Sequence, residues 1–294
     1  MKYAWIQKHS DSFPVKTMCK VMRVSTSGYY AWRRAKPSPR ARRATKIRQD
    51  IARVFEESNQ IYGSYKIADQ MRNDSDLETA CRNTVASAMR EMGIKSRVSK
   101  RFKPTTTVTD PSKRPAPNVL DQVFDADGPN QKWVTDITYL PTAEGFVYLA
   151  VVLDLFSRRV VGWALSNSLA TTVVNQALRI AIEHRHPDTK QLLLHSDRGC
   201  QYTSDEYQRV LRTLQITCSM SRTACCYDNA VMERFFWSLK HEWTKFDDFA
   251  DIEEARLSVF EYIETFYNTK RIHQTLGYKT PQEFEANHRD TLAV

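Results

Sequence analysis

The chain has 294 residues, 41% hydrophobic and 26% charged, which is long enough for two ordinary cores and has the balance of a folded protein. No apolar run approaches the roughly 18 residues a membrane span needs, and the opening MKYAWIQKHSDSF lacks an apolar segment with a cleavage site, so neither insertion nor export is expected. The formal charge of +9 is uneven: residues 1–120 hold 25 Lys and Arg against 10 Asp and Glu, and residues 121–294 hold 18 against 24, so the front of the chain suits a polyanion.

Six cysteines are scattered without a CxxC pair, which argues against a zinc site and fits a reducing cytoplasm. In chain order, "FPVKTMCKVMRVSTSGYYAWRR" predicts a helix-turn-helix, with Val15, Met18, Cys19 and Met22 at helical spacing and a second helix over 26–34 that ends on Arg33 and Arg34. "RARRATKIRQDIARVFEES" follows, with Ile47, Ile51, Val54 and Phe55 on one face under a basic amino end that carries Arg42 and Arg43. A second helix-turn-helix candidate runs over 62–92. Helical units of this kind bind DNA with a helix in the major groove and Lys and Arg on the phosphates. Periodicity alone fits an ordinary helical bundle equally well. Residues 1–100 are therefore read as an all-α helix-turn-helix region, and 101–128, rich in Pro, Thr and basic residues, as an extended linker.

Strands begin at Lys132. "KWVTDITYL", "FVYLAVVLDLF" and "RRVVGWAL" predict three antiparallel strands joined by turns at AEG and FSR. A helix over 171–184, the buried strand "QLLLHSD", a helix over 204–214, the strand "QITCSMS" and a helix over 229–243 complete the order β-β-β-α-β-α-β-α. That order predicts an α/β fold with a ribonuclease H-like mixed sheet over 129–294, preceded by the all-α region.

On this layout Asp136 sits within the first strand, Asp197 just past the fourth, and Glu233 early on the late helix, so the three carboxylates can converge. Three acids with no cation among them repel one another, and they relieve that either by protonation or by binding cations. Hard oxygen ligands suit Mg²⁺ or Mn²⁺, and two such ions form the clamp used for in-line phosphoryl transfer. Each acid also has a plainer reading: Asp136 or Asp197 as a turn aspartate, Glu233 as a surface partner of Lys240. Asp154 is the rival acid, read as structural, and His195 is read as a satisfied core histidine.

The blocks "QKWVTDITYL", "VLDLFSRRVVGWALS", "LLLHSDRGCQYTS", "SMSRTACCYDNAVMERFFWSLKHE" and "FYNTKRIHQTLGYKTPQEF" resemble, in order, the signature blocks of OrfB-type transposases of bacterial insertion sequences, in the retroviral-integrase-like superfamily of DDE recombinases. The resemblance implies a DNA transposase in which Asp136, Asp197 and Glu233 hold two Mg²⁺ (or Mn²⁺). It also implies that Lys240 contacts DNA near the site, and that Tyr267, Asn268, Arg271 and His273 contact DNA or position its ends. Arg222 joins Arg33, Arg34, Arg42 and Arg43 as a further candidate DNA contact. The implied partners are DNA, further copies of the chain assembled on it, and the product of an upstream reading frame (OrfA); the implied location is the bacterial cytoplasm and nucleoid. One departure stands out: Ala224 occupies a position where the family usually has glycine. Two other readings stay open, an inactive DNA-binding regulator of the same family and a ribonuclease H-like nuclease of another kind.

Overall fold

The computed structural model describes residues 2–97, 115–223 and 225–292. Ala224, the last residues of the expected helical region (98–100) and the first part of the expected linker (101–114) lie outside the described residues. Six helices open the chain: α1 Lys2–Lys8, α2 Val15–Val21, α3 Thr26–Arg34, α4 Pro39–Glu57, α5 Ser64–Asn73 and α6 Arg82–Glu91. The turn between α2 and α3 is fixed by Ser25, whose hydroxyl accepts the Gly28 amide at 3.2 Å as an N-cap. The first three helices close around Ile6, Met18, Cys19 and Tyr29. α4 begins with Pro39 after the N-cap Ser38, and buries Ile47, Ile51, Val54 and Phe55 as its spacing predicts. Those side chains join Ile67 and Met71 of α5 and Val85 and Met89 of α6 in one core.

The sheet has five strands, β1 Lys132–Thr142, β2 Gly145–Asp154, β3 Val160–Ser166, β4 Leu193–Ser196 and β5 Thr217–Met220, in the order β3-β2-β1-β4-β5. β1 pairs antiparallel with β2 and β2 with β3, whereas β4 runs parallel to β1 and β5 parallel to β4. Helices α7 Thr171–Arg185, α8 Cys200–Thr203 and α9 Asp205–Thr213 cover one face. Gly162 of β3 lets α7 lie close, since a Cβ there would run into the backbone of Ala177 and Ala181. α10 Ala230–Glu242 covers the other face, its Met232, Phe235, Phe236 and Leu239 entering the same core as the front helices.

The chain then folds back through α11 Ile252–Phe260, which runs on as a π-helical stretch, Glu261–Tyr267, and ends in α12 Pro281–Leu292. Asn268 closes the open edge of β3: its side chain accepts the Val160 amide and donates to the Val160 carbonyl, both at 3.0 Å. The latter part of the expected linker is held against the sheet. The Val119 and Leu120 amides donate to the Ser219 hydroxyl at 2.9 and 3.0 Å, Leu120 is buried, and the Met220 amide donates to Pro117. This stretch therefore lies along β5, because a buried hydroxyl there supplies the acceptor its backbone needs.

Candidate active site

Strand register explains how Asp136 and Asp197 meet. Val134 of β1 stands opposite His195 of β4, so two residues further on in both parallel strands Asp136 faces Asp197. Pairing between the two strands ends at that point, so both carboxylates sit where the carboxyl ends of neighbouring parallel strands separate, the usual position of a ligand crevice in such sheets. Both residues are half-buried and line a common cavity of about 350 Å³. The Ile137 amide donates to Asp136 at 2.8 Å, and the Gly199 amide to Asp197 at 2.9 Å, which orients one oxygen of each.

Glu233 arrives from the first turn of α10, anchored beneath by Met232, Phe235 and Phe236. The Asp136 carboxyl is pushed well above the usual carboxylate range, first by burial, then by the negative charge of Asp197 and of Glu233, with Lys240 as the opposing cation. Burial also raises the Glu233 carboxyl. Lys240, two turns along α10, lays its Nζ 4.5 Å from the centre of the Tyr139 ring; burial lowers its ammonium pKa and Asp136 partly restores it. The donors are all carboxylate oxygens, which fits a hard divalent cation in kind. Even so, among the described residues no three His, Cys, Asp or Glu side chains are drawn together tightly enough to ligate a single ion.

The rival groups have other duties. Asp154 is fully buried at the far end of β2, accepting the Asn130 amide at 2.7 Å and the Phe156 amide at 2.9 Å; burial pushes it up to about 6. His195 is buried between the Ser219 and Ser221 hydroxyls at 2.8 and 3.1 Å and is driven down to about 4 by burial, so it is a satisfied core residue.

The expected DNA contacts divide into two groups. Arg33 and Arg34 end α3 in solvent, and Arg42 is exposed in the first turn of α4. Arg43 is exposed too but donates to Glu78 at 2.7 Å and to the Thr79 carbonyl at 3.0 Å. Arg222 is half exposed, and its guanidinium is held by Asp228 at 2.9 Å and Asp121 at 3.2 Å. Arg271 lies inside the protein, which corrects the expectation that it touches DNA. Its Nε and Nη2 clasp Glu242 at the end of α10, Nη2 also reaches Ser238, and Nη1 lies 3.4 Å from His273 Nε2, so no nitrogen is left over for a phosphate. His273 is half-buried beside it and is kept neutral by burial and by Arg271.

Sequence reasoning missed three structural anchors of this region. Glu242 locks α10 to the returning chain. Asp228 is fully buried just ahead of α10 and accepts Asn118, Gln122 and both the amide and the guanidinium of Arg222, which hold its carboxyl far below the usual range. Lys66 of α5 projects toward Arg271, Glu242 and Arg234, and burial brings its ammonium down to about 7. Asp228 had a local signal, an acid at the head of a helix; Glu242 and Lys66 had none, because their partners lie far along the chain.

Comparison with known proteins bears on the whole chain. Residues 126–226 and 214–281 match two integrase core domain families, and residues 42–102 match an HTH-like domain that spans most of α4 together with α5 and α6. Transposase InsF for insertion sequence IS3A of Escherichia coli (strain K12) is 40% identical over 287 residues, covering 97% of this chain and 98% of that protein. This chain belongs to the insertion-sequence transposases. The transposase for insertion sequence element IS904 of Lactococcus lactis is 39% identical over 81% of this transposase and 93% of its own length. Among solved structures, the HTLV-2 integrase catalytic core domain in complex with magnesium covers 54% of this transposase and 99% of that chain at 17% identity and a TM-score of 0.43. The simian T-cell lymphotropic virus intasome covers 80% and 74% at 15% identity and 0.45. With the β3-β2-β1-β4-β5 order and the integrase-core match, the transposase is a DDE-class enzyme on a ribonuclease H-like fold preceded by a helical region.

Proposed function

We propose that Asp136, Asp197 and Glu233 are the carboxylate centre at which this transposase cuts the ends of its element and joins them to new DNA. The observation that carries the reading is electrostatic: the negative charges of Asp197 and Glu233 both press on the half-buried Asp136 carboxyl. The three side chains would hold Mg²⁺ or Mn²⁺, two ions per site. Such ions supply Lewis acidity that eases deprotonation of the attacking hydroxyl and stabilises the departing oxygen. In the first step water attacks phosphorus and the bond to the 3′ oxygen breaks, leaving a 3′-hydroxyl. In the second step that hydroxyl loses its proton, attacks another phosphodiester and displaces a second 3′ oxygen. A helix whose apolar side is locked into the core would aim Glu233, and Lys240, over the Tyr139 ring, would meet the phosphate beside Asp136.

The front helices would hold the DNA. Arg40, Arg42 and Arg43 crowd the amino end of α4, where the helix dipole disfavours cations, so a polyanion is the partner that suits them. Further copies of the chain and the product of an upstream frame (OrfA) would complete the assembly on DNA in the bacterial cytoplasm, at the nucleoid.

Labelled element ends incubated with and without Mg²⁺ test the reading. Nicked and joined products that require the metal are expected. Binding without any cleavage, whatever the metal, would leave only a regulator of the same family, and cutting without joining would indicate a nuclease.

A further inference from the structure

The cavity onto which Asp136 and Asp197 open has walls that carboxylate chemistry does not use. Tyr139 and Tyr148 are directly paired across β1 and β2, and Phe146 meets the Tyr139 ring edge-on at 5.1 Å. Leu169 also lines the cavity. Phe146 is 55% exposed and Leu169 43%, so an apolar mouth opens on solvent beside the charged crevice. Gln201 also stands in the wall; its amide nitrogen is spent on the Leu169 carbonyl at 3.2 Å, while its oxygen lies toward Gly199 and Asp197.

We propose that this cavity receives an unpaired nucleobase of the DNA end, swung out of the duplex next to the phosphate under attack. The inference rests on the assignment of Asp136 and Asp197 to the reacting phosphate. A base attached to the neighbouring sugar is the flat, apolar-faced group that a DNA substrate brings within reach of that cavity. Aromatic side chains stack with any base, and the gain offsets the cost of unpairing, which is smallest at a duplex end. Lys240, over the Tyr139 ring, places a cation between the stacking wall and Asp136, where the backbone phosphate of an extruded nucleotide would pass. The Gln201 side chain gives the cavity an acceptor for a base edge.

Two measurements on the full-length chain test this. Phe146→Ala, at an exposed position where folding tolerates the change, should slow strand transfer on fully paired ends about ten-fold, the value of one lost stacking partner. Phe146→Tyr should restore it. On ends made abasic at the nucleotide flanking the scissile phosphate, where no base needs housing, Phe146→Ala should cost less than about two-fold. An equal effect on paired and abasic ends overturns the proposal. Separately, 2-aminopurine at that nucleotide should brighten several-fold when the Glu233→Gln chain binds the end, and unchanged fluorescence overturns the proposal as well. Because this second readout needs no chemistry, a wild-type chain that fails to cut would count against the carboxylate centre, while fluorescence still decides the cavity.

Discussion

Glu242 and Arg271 are 5% and 6% exposed and joined through two hydrogen bonds, so neither can lose the other cheaply. Removing one partner of a buried pair strands a charge at a cost of about 3–5 kcal/mol, whereas an apolar pair of similar size can be neutral. Arg271→Ala should therefore lower unfolding stability in urea by about that amount, and Glu242→Met combined with Arg271→Met should recover most of it. A small loss in the single variant would mean that water reaches the pair. Legibility at this scale was uneven. Glu233 stands out as an acid set among apolar side chains, whereas Asp136 and Asp197 are legible from their places on the expected sheet and from the resemblance of their flanks. The DNA contact expected of Arg271 comes from the family resemblance of its block alone, and nothing local in the sequence shows its carboxylate partner, which lies 29 positions earlier.

The helices and strands were read nearly to the residue where one face is buried, because burial enforces the period: α4 and β1 to β3 follow their apolar patterns closely. Over 115–120 the stretch lies along β5, where its backbone finds partners in Ser219 and Met220, and the sequence does not show this because a polar, Pro-rich stretch carries no sign of a distant acceptor. The docking of α5 on the returning chain was equally hidden, and it sets a pH experiment. The Lys66 ammonium, facing Arg271, Arg234 and Glu242, falls to about 7 in the folded protein, chiefly through burial. Between pH 7 and the ordinary lysine range the unfolded chain then holds more protons, so stability rises with pH across that window. Denaturant melts at pH 7 and 9 should show the wild type gaining on the order of 1 kcal/mol relative to Lys66→Met. An identical pH response in both chains would place Lys66 in water.

For the whole molecule, the division of charge along the sequence becomes a division of labour: basic helices in front, and an acidic crevice behind at the separation of β1 and β4. If Arg33 and Arg34 meet phosphates, replacing each with Ala should reduce the slope of log affinity against log salt by about 1, with little change in fold. An unchanged slope would move DNA elsewhere on the surface. The central claim is that the acids of β1, β4 and α10 act as one centre, and the most direct measurement is strand transfer by Glu233→Gln in Mg²⁺, alongside the affinity of the same chain for its element end. Joined products should fall to background while binding stays at the wild-type level; joining at the wild-type rate would contradict the assignment.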